Sequence, residues 1–263
     1  MDVLIDRREL LQKAREKNLT LGMIEKDYVL GWLLFGLSGI KGLVFKGGTA
    51  LSRVYFPNIW RLSEDLDFIY EKDFQTIVTN LPEIFDRIER SSEIRLVLKT
   101  HYSNPDYLQL KIQYDAVLSK NWIKVDVTRE SPIGRILSKK LSQGYSDYLP
   151  FRVYVESIEE ITAEKIRSLV ERKKCRDYYD IWQLMKLKIN QIKLKTLLQK
   201  KFEYKEIEIK GLENIFPGDL PEILEGYWDR ELGRLIYPVP KIEIVMHELK
   251  NHLKYLVKPS KPR

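Results

Sequence analysis

Two aspartates, Asp65 and Asp67, stand two residues apart among apolar neighbours. The segment Leu66–Tyr70 is predicted to be a β-strand, so both carboxylates project from one face while Leu66 and Phe68 are buried on the other. Carboxylates this close repel each other unless a cation lies between them. Mg²⁺ suits the pair, with Mn²⁺ as an alternative, because such cations prefer oxygen ligands and join carboxylates to substrate phosphates. The non-functional alternative is that the two aspartates simply face solvent from the strand, since the pattern Asp-x-Asp is common by chance.

A third carboxylate, Asp126, lies in the predicted strand Trp122–Thr128. In this segment Ile123, Val125 and Val127 alternate with Lys124, Asp126 and Thr128, so Asp126 lies on the polar face. Three carboxylates on one sheet face can hold two metal ions, one activating an attacking oxygen and one steadying a leaving pyrophosphate. We therefore predict that Asp65, Asp67 and Asp126 together bind metal.

A glycine pair follows the short predicted strand Leu43–Phe45 in the sequence Lys46-Gly47-Gly48-Thr49. Glycines between a strand and a helix let backbone N–H groups approach a phosphate. Thr49 can either cap the helix or hydrogen-bond a phosphate oxygen. The spacing is neither that of a P-loop nor that of a Rossmann fingerprint. Combined with the carboxylate pair downstream, the turn predicts binding of a nucleoside triphosphate, with Lys46 beside it.

Several separate segments then resemble one known family: Glu25–Tyr28, Phe45–Arg53, Arg61–Phe68, Glu160–Ile166 and Arg176–Asp180. In this order they are similar to the AbiEii/AbiGii toxin family of nucleotidyltransferases, which is related to the DNA polymerase β superfamily. The resemblance covers roughly residues 20 to 190, and the last 70 residues show none. Where the wider superfamily has Gly-Ser and a short spacer, this chain has Gly-Thr and a longer gap before the aspartates.

The resemblance implies roles for residues in both halves of the chain. It assigns metal binding to Asp65 and Asp67, places Gly48 and Thr49 against the triphosphate, and lets Lys165 and Asp180 complete the site. It also implies that the protein is the toxin of a type IV toxin–antitoxin system, with a cognate antitoxin as a possible partner.

The residues themselves leave alternatives open in the second half. Helical periodicity does not require Lys165 to be buried, so it could be an ordinary surface lysine. Asp177 lies three residues before Asp180 and therefore on the same helix face. Either aspartate could pair with Arg172 or Arg176, orient Lys165, or contact the sugar of a nucleotide.

Other residues have both a functional and an ordinary interpretation. Arg53 and Arg61 could contact phosphate or be simple ion-pair partners. Tyr178, Tyr179 and Trp182 could stack on bases, although core packing is expected for at least two of them. Cys175 is the single cysteine, which excludes an internal disulfide and suggests a packed or idle thiol.

Composition sets the class of protein. The 263 residues can form one large or two modest domains, and 45 basic against 38 acidic residues give a net charge of +7. Such a charge attracts polyanions without specifying one. No apolar run is long enough to span a bilayer, and Met1–Leu11 is too charged for a signal peptide. A cytoplasmic protein with no membrane partner is expected.

The pattern of elements predicts an α+β fold. Two helices, Arg7–Lys17 and Leu21–Leu37, precede a mostly antiparallel sheet with helices on one face, and helical periodicity dominates from about residue 157. We predict a nucleotidyltransferase domain over residues 1–155 and a mainly helical domain over 156–263 that completes the active site. The helix after the glycine pair is expected to stop at Pro57, and the tail from Lys258 to be frayed.

The leading hypothesis is a metal-dependent enzyme that transfers a nucleoside monophosphate from an NTP to RNA, with tRNA favoured by the resemblance. One alternative is a nucleotidyltransferase that modifies a small molecule; against it stands the basic character of the helical half, as in Lys186–Lys201. The other is a non-catalytic module that binds nucleotide or RNA.

Overall fold

A computed structural model describes residues 5–56, 61–118, 120–141, 144–207 and 211–257. The chain forms two compact units, Met1–Glu156 and Ser157–Arg263. The expected helix stop at Pro57 and the tail from Lys258 lie outside the described residues.

The first unit begins with two helices and continues as a sheet with one further long helix. Asp6 caps α1 by accepting a hydrogen bond from the Arg8 amide, and Thr20 caps α2 in the same way from Met23. The elements are α1 (Arg7–Lys17), α2 (Leu21–Leu37), β1 (Val44–Lys46), α3 (Gly47–Ala50), a π-helical turn (Leu51–Tyr55), β2 (Asp65–Ile69), α4 (Gln75–Ser92), β3 (Arg95–Asn104), β4 (Tyr107–Asp115), β5 (Lys120–Thr128), β6 (Leu137–Leu141) and β7 (Phe151–Val155). The predicted bounds of α1 and α2 are confirmed.

The seven strands form one mixed sheet in the order β3-β4-β5-β2-β1-β7-β6. β1 is antiparallel to β2 and parallel to β7, while β2 is parallel to β5. The β3–β4, β4–β5 and β6–β7 pairs are antiparallel. The predicted α+β class is confirmed, and antiparallel pairs outnumber parallel ones among the described strands.

Alternation along the strands separates a buried face from a polar face. The alternating apolar residues of two central strands are buried at no more than 1% exposure: Leu108, Leu110, Ile112 and Tyr114 on β4, and Ile123, Val125 and Val127 on β5. Phe45 and Phe68, opposite each other on β1 and β2, pack with ring centroids 5.4 Å apart. Helix α2 packs against β2 and β5, and α4 packs against β3.

Two strands, β6 and β7, were not predicted from the sequence. β7 lies just before the division between the units and buries only Val153 and Val155. A five-residue segment with only two buried apolar side chains cannot be distinguished from a linker by its sequence pattern alone. Its pairing with β1, through Phe45 and Val155, is what makes it part of the sheet.

The second unit consists of helices, as its periodicity predicts. They are α5 (Ile158–Arg172), α6 (Cys175–Met185), α7 (Gln191–Tyr204), a 3₁₀ turn (Leu212–Asn214), α8 (Leu220–Leu232) and α9 (Ile242–Val257). The Ser157 hydroxyl caps α5 by accepting from the Glu160 amide. Across the described part of the chain, none of the helices has the length and apolar character needed to cross a membrane.

Candidate active site

The polar face of the sheet carries the predicted carboxylates in one row. On β2, Asp65 and Asp67 are half-buried while Leu66 and Phe68 are buried behind them. The parallel register of β2 and β5 places Asp126 directly opposite Asp67. Residues that are opposite each other in register share a sheet face, so the structure brings the three predicted carboxylates onto one surface.

A lysine that the sequence hypothesis had not used lies among these carboxylates. Lys124 Nζ is 2.8 Å from Asp126 Oδ2 and 3.8 Å from Asp65 Oδ2. Burial raises the pKa of Asp65, while the positive charges of Lys124 and Lys26 oppose that rise. Burial alone would lower the pKa of Lys124, but its hydrogen bond to Asp126 and the charge of Asp65 raise it. The ammonium group thus supplies the positive charge that this carboxylate row requires.

The carboxylate of Asp126 is held from the neighbouring strand β4 as well. Its Oδ1 accepts hydrogen bonds from the Tyr107 hydroxyl and, at 3.0 Å, from the Gln109 side-chain amide. Burial, together with the contact to Asp126, raises the pKa of Tyr107, so this phenol remains a hydrogen-bond donor. With Lys124 on Oδ2, both oxygens of Asp126 have partners and its orientation is fixed.

The glycine turn lies immediately beside the aspartates. Lys46 is opposite Asp67 in the β1–β2 register, and Gly47 follows with φ +76°, in the left-handed region that disfavours other residues. A Cβ at Gly47 would collide with Oδ2 of Asp67. The backbone of the turn therefore lies close against the carboxylate, and both this contact and the positive φ favour glycine at position 47.

Thr49 makes two hydrogen bonds that the sequence did not predict, and its contact with a phosphate oxygen stays a prediction. It is 1% exposed, and its hydroxyl hydrogen-bonds the Ser63 hydroxyl at 2.6 Å and the backbone carbonyl of Asp65. The residue that caps α3 is Lys46, without a side-chain hydrogen bond. Thr49 therefore fastens the glycine turn to the start of β2.

Arg61 packs against the second glycine. It is 3% exposed, and its Nη1 donates to the backbone carbonyl of Leu62 at 2.8 Å. A Cβ on Gly48 would come within 2.6 Å of Arg61 Nη2. The Arg61 guanidinium therefore lies close to the backbone of Gly48. The Lys46 ammonium, also predicted to lie near the nucleotide, is 3.7 Å from Glu130 Oε2.

Arg53 forms an ion pair with Asp27 on α2. Its Nη2 lies 2.8 Å from Asp27 Oδ1 and 2.5 Å from the Asp27 backbone oxygen. Asp27 also accepts from the Tyr145 hydroxyl at 3.0 Å. Both Arg53 and Arg61 line a cavity of about 570 Å³ within the first unit. The ion-pair alternative describes Arg53 in this structure, and its contact with phosphate stays a prediction.

The fit to a divalent cation rests on the donor chemistry of this surface. Among the described residues, no group of three or more His, Cys, Asp or Glu side chains is arranged to hold a metal. Asp65 and Asp67 offer two oxygen donors on one face beside a side-chain-free turn, which suits a cation that completes its shell with water and substrate phosphates. Because Asp126 is already held by three donors, its role as third ligand stays a prediction.

In the second unit the predicted residues form a buried ion cluster. Lys165 Nζ is 2.7 Å from Asp177 Oδ1 and 2.9 Å from Asp180 Oδ2. Arg172 Nε is 2.9 Å from Asp177 Oδ2. Burial alone would raise the pKa of Asp177, but the charges of Lys165 and Arg172 outweigh it and lower that pKa to about 2.

This cluster decides between the surface and buried interpretations of Lys165 and identifies the ion-pair partners, while contact of either aspartate with the sugar of a nucleotide stays a prediction. Both aspartates are 0% exposed and Lys165 is 7% exposed, so the interpretation of Lys165 as a surface residue is wrong. Periodicity failed there because packing of α5 against α6 buries a position outside the apolar stripe. Arg172 is the arginine paired with Asp177, and both Asp177 and Asp180 orient the lysine.

Comparison with known proteins shows the family to which the chain belongs. A family model described as nucleotidyl transferase AbiEii toxin, type IV toxin–antitoxin system, matches residues 32–253. The chain belongs to the AbiEii family. The match extends well past residue 190, where the resemblance in individual motifs ended, so most of the helical unit is part of the family's architecture.

Solved structures support the fold of this AbiEii protein. It is similar to MenT4, a nucleotidyltransferase toxin from Mycobacterium tuberculosis, with a TM-score of 0.73 and 20% identity over 98% of this chain and 91% of MenT4. It is also similar to JHP933 from Helicobacter pylori, with a TM-score of 0.58 and 17% identity over 91% and 93% of the two chains. No curated protein matches the sequence.

Membership of the AbiEii family establishes the class of activity. The protein is a nucleotidyltransferase of the toxin type, and the type IV system named for the family implies an NTP substrate and an antitoxin partner. Nucleotidyltransferases of this kind generally use a divalent metal with the NTP. The alternative of a non-catalytic module is thereby set aside.

The sequence alone did not predict every residue around the candidate site of this AbiEii protein. The polar-face position of Lys124 followed from alternation alone, whereas the approach of Tyr107 and Gln109 to Asp126 depends on the β4–β5 register. Tyr178 and Tyr179 are 0% and 4% exposed, which confirms core packing for two of the three aromatic residues on α6.

Proposed function

We propose that this protein transfers a nucleoside monophosphate from an NTP to RNA, with tRNA as the acceptor, in a reaction that requires Mg²⁺ or Mn²⁺. Both substrates of such a reaction belong to the cytoplasm. The family supplies the nucleotidyl transfer; the acceptor and the metal requirement are the proposed part.

The observation that carries the proposal is the placement of Gly47 against Asp67, with Asp126 opposite Asp67 in the next strand. A side-chain-free backbone leaves room for a triphosphate where two carboxylates can share a cation with it. Strand order puts the glycine turn on the β1 side of Asp67 and Asp126 on the β5 side. The triphosphate is thus expected on one side of the aspartates and the acceptor on the other.

The reaction is a displacement at phosphorus. A hydroxyl oxygen of the acceptor forms a bond to the α-phosphorus, the bond from that phosphorus to the β-phosphate oxygen breaks, and pyrophosphate leaves as the hydroxyl proton is released. When bound, the divalent cation supplies charge neutralisation of the phosphates. Asp65 and Asp67 would hold it. Thr49 keeps the turn in position through its hydrogen bond to Ser63, and Arg61 lies beside Gly48.

The surface charge supports an RNA acceptor. A net charge of +7 attracts a polyphosphate chain at long range, in contrast to the acidic pocket that a cationic small molecule would need. We also assign Lys165 and Asp180 to the reaction, following the family resemblance. A Lys165→Arg variant, which keeps the positive charge, is expected to retain more transfer than Lys165→Met.

The decisive experiment replaces Asp65 with Asn and follows incorporation of each labelled NTP into total tRNA at saturating Mg²⁺. We expect the rate to fall roughly a hundredfold or more, the scale on which loss of one group stabilising the transition state acts. Asp86→Asn, an exposed aspartate on α4 of the same unit, is the matched control and should transfer normally. Undiminished transfer by Asp65→Asn would remove the metal site from the mechanism.

The acceptor class is tested separately. The wild-type protein is incubated with labelled NTP and either total tRNA or a panel of aminoglycosides, and products are separated by size. Label in the tRNA fraction alone is expected. Label in an aminoglycoside and not in tRNA would assign the protein to small-molecule modification while leaving the aspartate pair intact as its metal site.

The toxin character has a cellular readout. Induced expression of the wild-type chain is expected to slow bacterial growth, and Asp65→Asn expressed to the same level is expected to be tolerated. Equal growth inhibition by both proteins would show that the effect does not come from nucleotidyl transfer.

A further inference from the structure

One tryptophan lies exposed on the same sheet face as the carboxylates. Trp122 on β5 is 45% exposed, and because alternate residues of a strand share a face, it lies beside Lys124 and Asp126. A single exposed aromatic residue is common and carries no function by itself. The surroundings of this ring are what distinguish it.

Two ammonium groups lie over the Trp122 ring. Lys111 Nζ is 4.4 Å and Lys26 Nζ is 5.5 Å from the ring centroid, within the range of cation–π attraction. Lys26 also lies 3.4 Å from Glu64. Of the two cations, Lys111 is the one closer to the ring. An exposed tryptophan ring with lysine ammonium groups over it combines the two features that hold single-stranded nucleic acid: an aromatic ring for a base and positive charge for its phosphates.

A second exposed aromatic residue lies elsewhere on the same sheet face. Tyr102 on β3 is 59% exposed and pairs in register with Gln109. Since Gln109 reaches Asp126, Tyr102 lies on the carboxylate face too. Because Trp122 pairs with Gln113 and not with Gln109, Tyr102 lies further along the sheet. We therefore define the aromatic platform as Trp122, Lys26 and Lys111.

The platform lies on the acceptor side of the site. Trp122 stands four residues from Asp126 along β5, or about 13 Å at roughly 3.3 Å per residue. The strand order β4-β5-β2-β1 places the platform and the glycine turn on opposite sides of Asp65 and Asp67. If the triphosphate occupies the turn, the space over β4 and β5 is left for the acceptor chain.

We propose that Trp122 stacks on an unpaired base of the acceptor RNA, close to the end that receives the nucleotide, while Lys111 and Lys26 neutralise its neighbouring phosphates. This inference rests on the proposed function, because only that function makes the RNA the acceptor of the nucleotide. The binding of single-stranded RNA can be measured without any reaction. Trp122 is thus a positioning residue, which sets where the RNA end lies relative to Asp126.

Direct binding tests the platform. A fluorescein-labelled single-stranded 12-nucleotide RNA is titrated with the full-length protein, without NTP or Mg²⁺, and its anisotropy is recorded. Trp122→Ala is expected to weaken binding about tenfold or more, the scale of losing one stacked base. Trp122→Phe keeps a stacking face and is expected to lie within a fewfold of the wild type, which also guards against misfolding of the alanine variant.

The matched control is another exposed aromatic residue with a cation over its ring. Tyr227 on α8 is 49% exposed, with the Arg230 guanidinium 4.8 Å from its centroid. Tyr227→Ala should bind RNA like the wild type. Equal weakening by Tyr227→Ala and Trp122→Ala would mean that RNA binds exposed aromatic residues indiscriminately, and would overturn the proposal.

Transfer kinetics give the second readout. Trp122→Ala should raise the KM for RNA and leave the KM for NTP unchanged. A raised KM for NTP with unaltered RNA affinity would place the ring under the base of the NTP and overturn the proposal, as would no change in either quantity. Should the wild-type protein transfer no nucleotide to tRNA while RNA affinity still depends on Trp122, the proposed function fails but RNA binding by the platform stands.

Discussion

The backbone of Gly47 lies against the carboxylate of Asp67 so closely that a Cβ at Gly47 would collide with Oδ2 and come within 3.0 Å of the Asp67 Cβ and Cγ. The φ of +76° adds a second constraint, since L-residues rarely adopt it. The relationship ties the geometry of the turn to that of the carboxylate pair, so a change in one must displace the other.

Gly47→Ala is therefore expected to reduce nucleotidyl transfer by at least about tenfold and to destabilise the fold by about 1–3 kcal/mol through strain. Initial rates and urea unfolding measure the two effects. Gly22→Ala is the matched control, because a Cβ at Gly22 in α2 meets no atom within 4 Å and alanine favours a helix. Full activity in Gly47→Ala would contradict the assigned role of the turn.

The hydroxyl of Thr49 is expected to stabilise the fold through its hydrogen bonds. Thr49→Val preserves the shape of the side chain but leaves Ser63 and the Asp65 carbonyl without their partner. We expect a loss of about 1–3 kcal/mol in the free energy of unfolding by urea. Thr49→Ser retains the hydroxyl and should lose less; equal losses in both variants would show that the hydroxyl is not what matters.

Lys165 is expected to stabilise the second unit independently of any catalytic role. Lys165→Met removes the ammonium between Asp177 and Asp180 and leaves two buried carboxylates with less compensation. Breaking a buried ion pair in this way costs about 3–5 kcal/mol, which chemical denaturation can measure. Lys200→Met, at an exposed position on α7, should change stability by little; a similar loss there would argue against the buried cluster.

Asp177 predicts a specific acid sensitivity. Its pKa falls from an ordinary value of 3.8 to about 2 in the fold, so the folded state favours the ionised form. The associated stability is fully present above about pH 4 and is lost as the pH falls towards 2. Urea unfolding at pH 5, 4, 3 and 2 should show a smaller acid-induced loss for Asp177→Asn than for the wild type. Parallel pH profiles would contradict this assignment.

Cys175 is expected to be inert in the folded protein. It is 1% exposed, and burial, reinforced by the charge of Glu231, raises its pKa to about 12. Thiolate is the reactive form, so a disulfide reagent at pH 8 should label the native protein very slowly and the unfolded protein at once. Stoichiometric labelling of the native chain within minutes would contradict the burial of this thiol.

The local arrangement of the first half was accessible from the sequence because it depends on backbone periodicity. A strand places alternate side chains on one face, which fixed Asp65 and Asp67 as neighbours and set Asp126 and Lys124 on the polar side of β5. Helical periodicity likewise predicted the bounds of α1 and α2 that the structure shows.

What the sequence did not contain was the partner of each element. That Asp67 faces Asp126 depends on the parallel pairing of β2 with β5, two strands separated by a long stretch of chain. The strand β7 is likewise recognisable only through its pairing with β1. Pairing is chosen by burial and register over the whole sheet, which local patterns do not report.

The sequence by itself determined which residues could do the chemistry and on which face of their strand they lie, because covalent geometry repeats every two residues. Only the tertiary structure decided which of them meet: Lys124 among the carboxylates, Arg53 with Asp27, and Lys165 buried between two aspartates. Burial and ion pairing depend on what packs against a residue from elsewhere in the chain, and no local spacing encodes that neighbour.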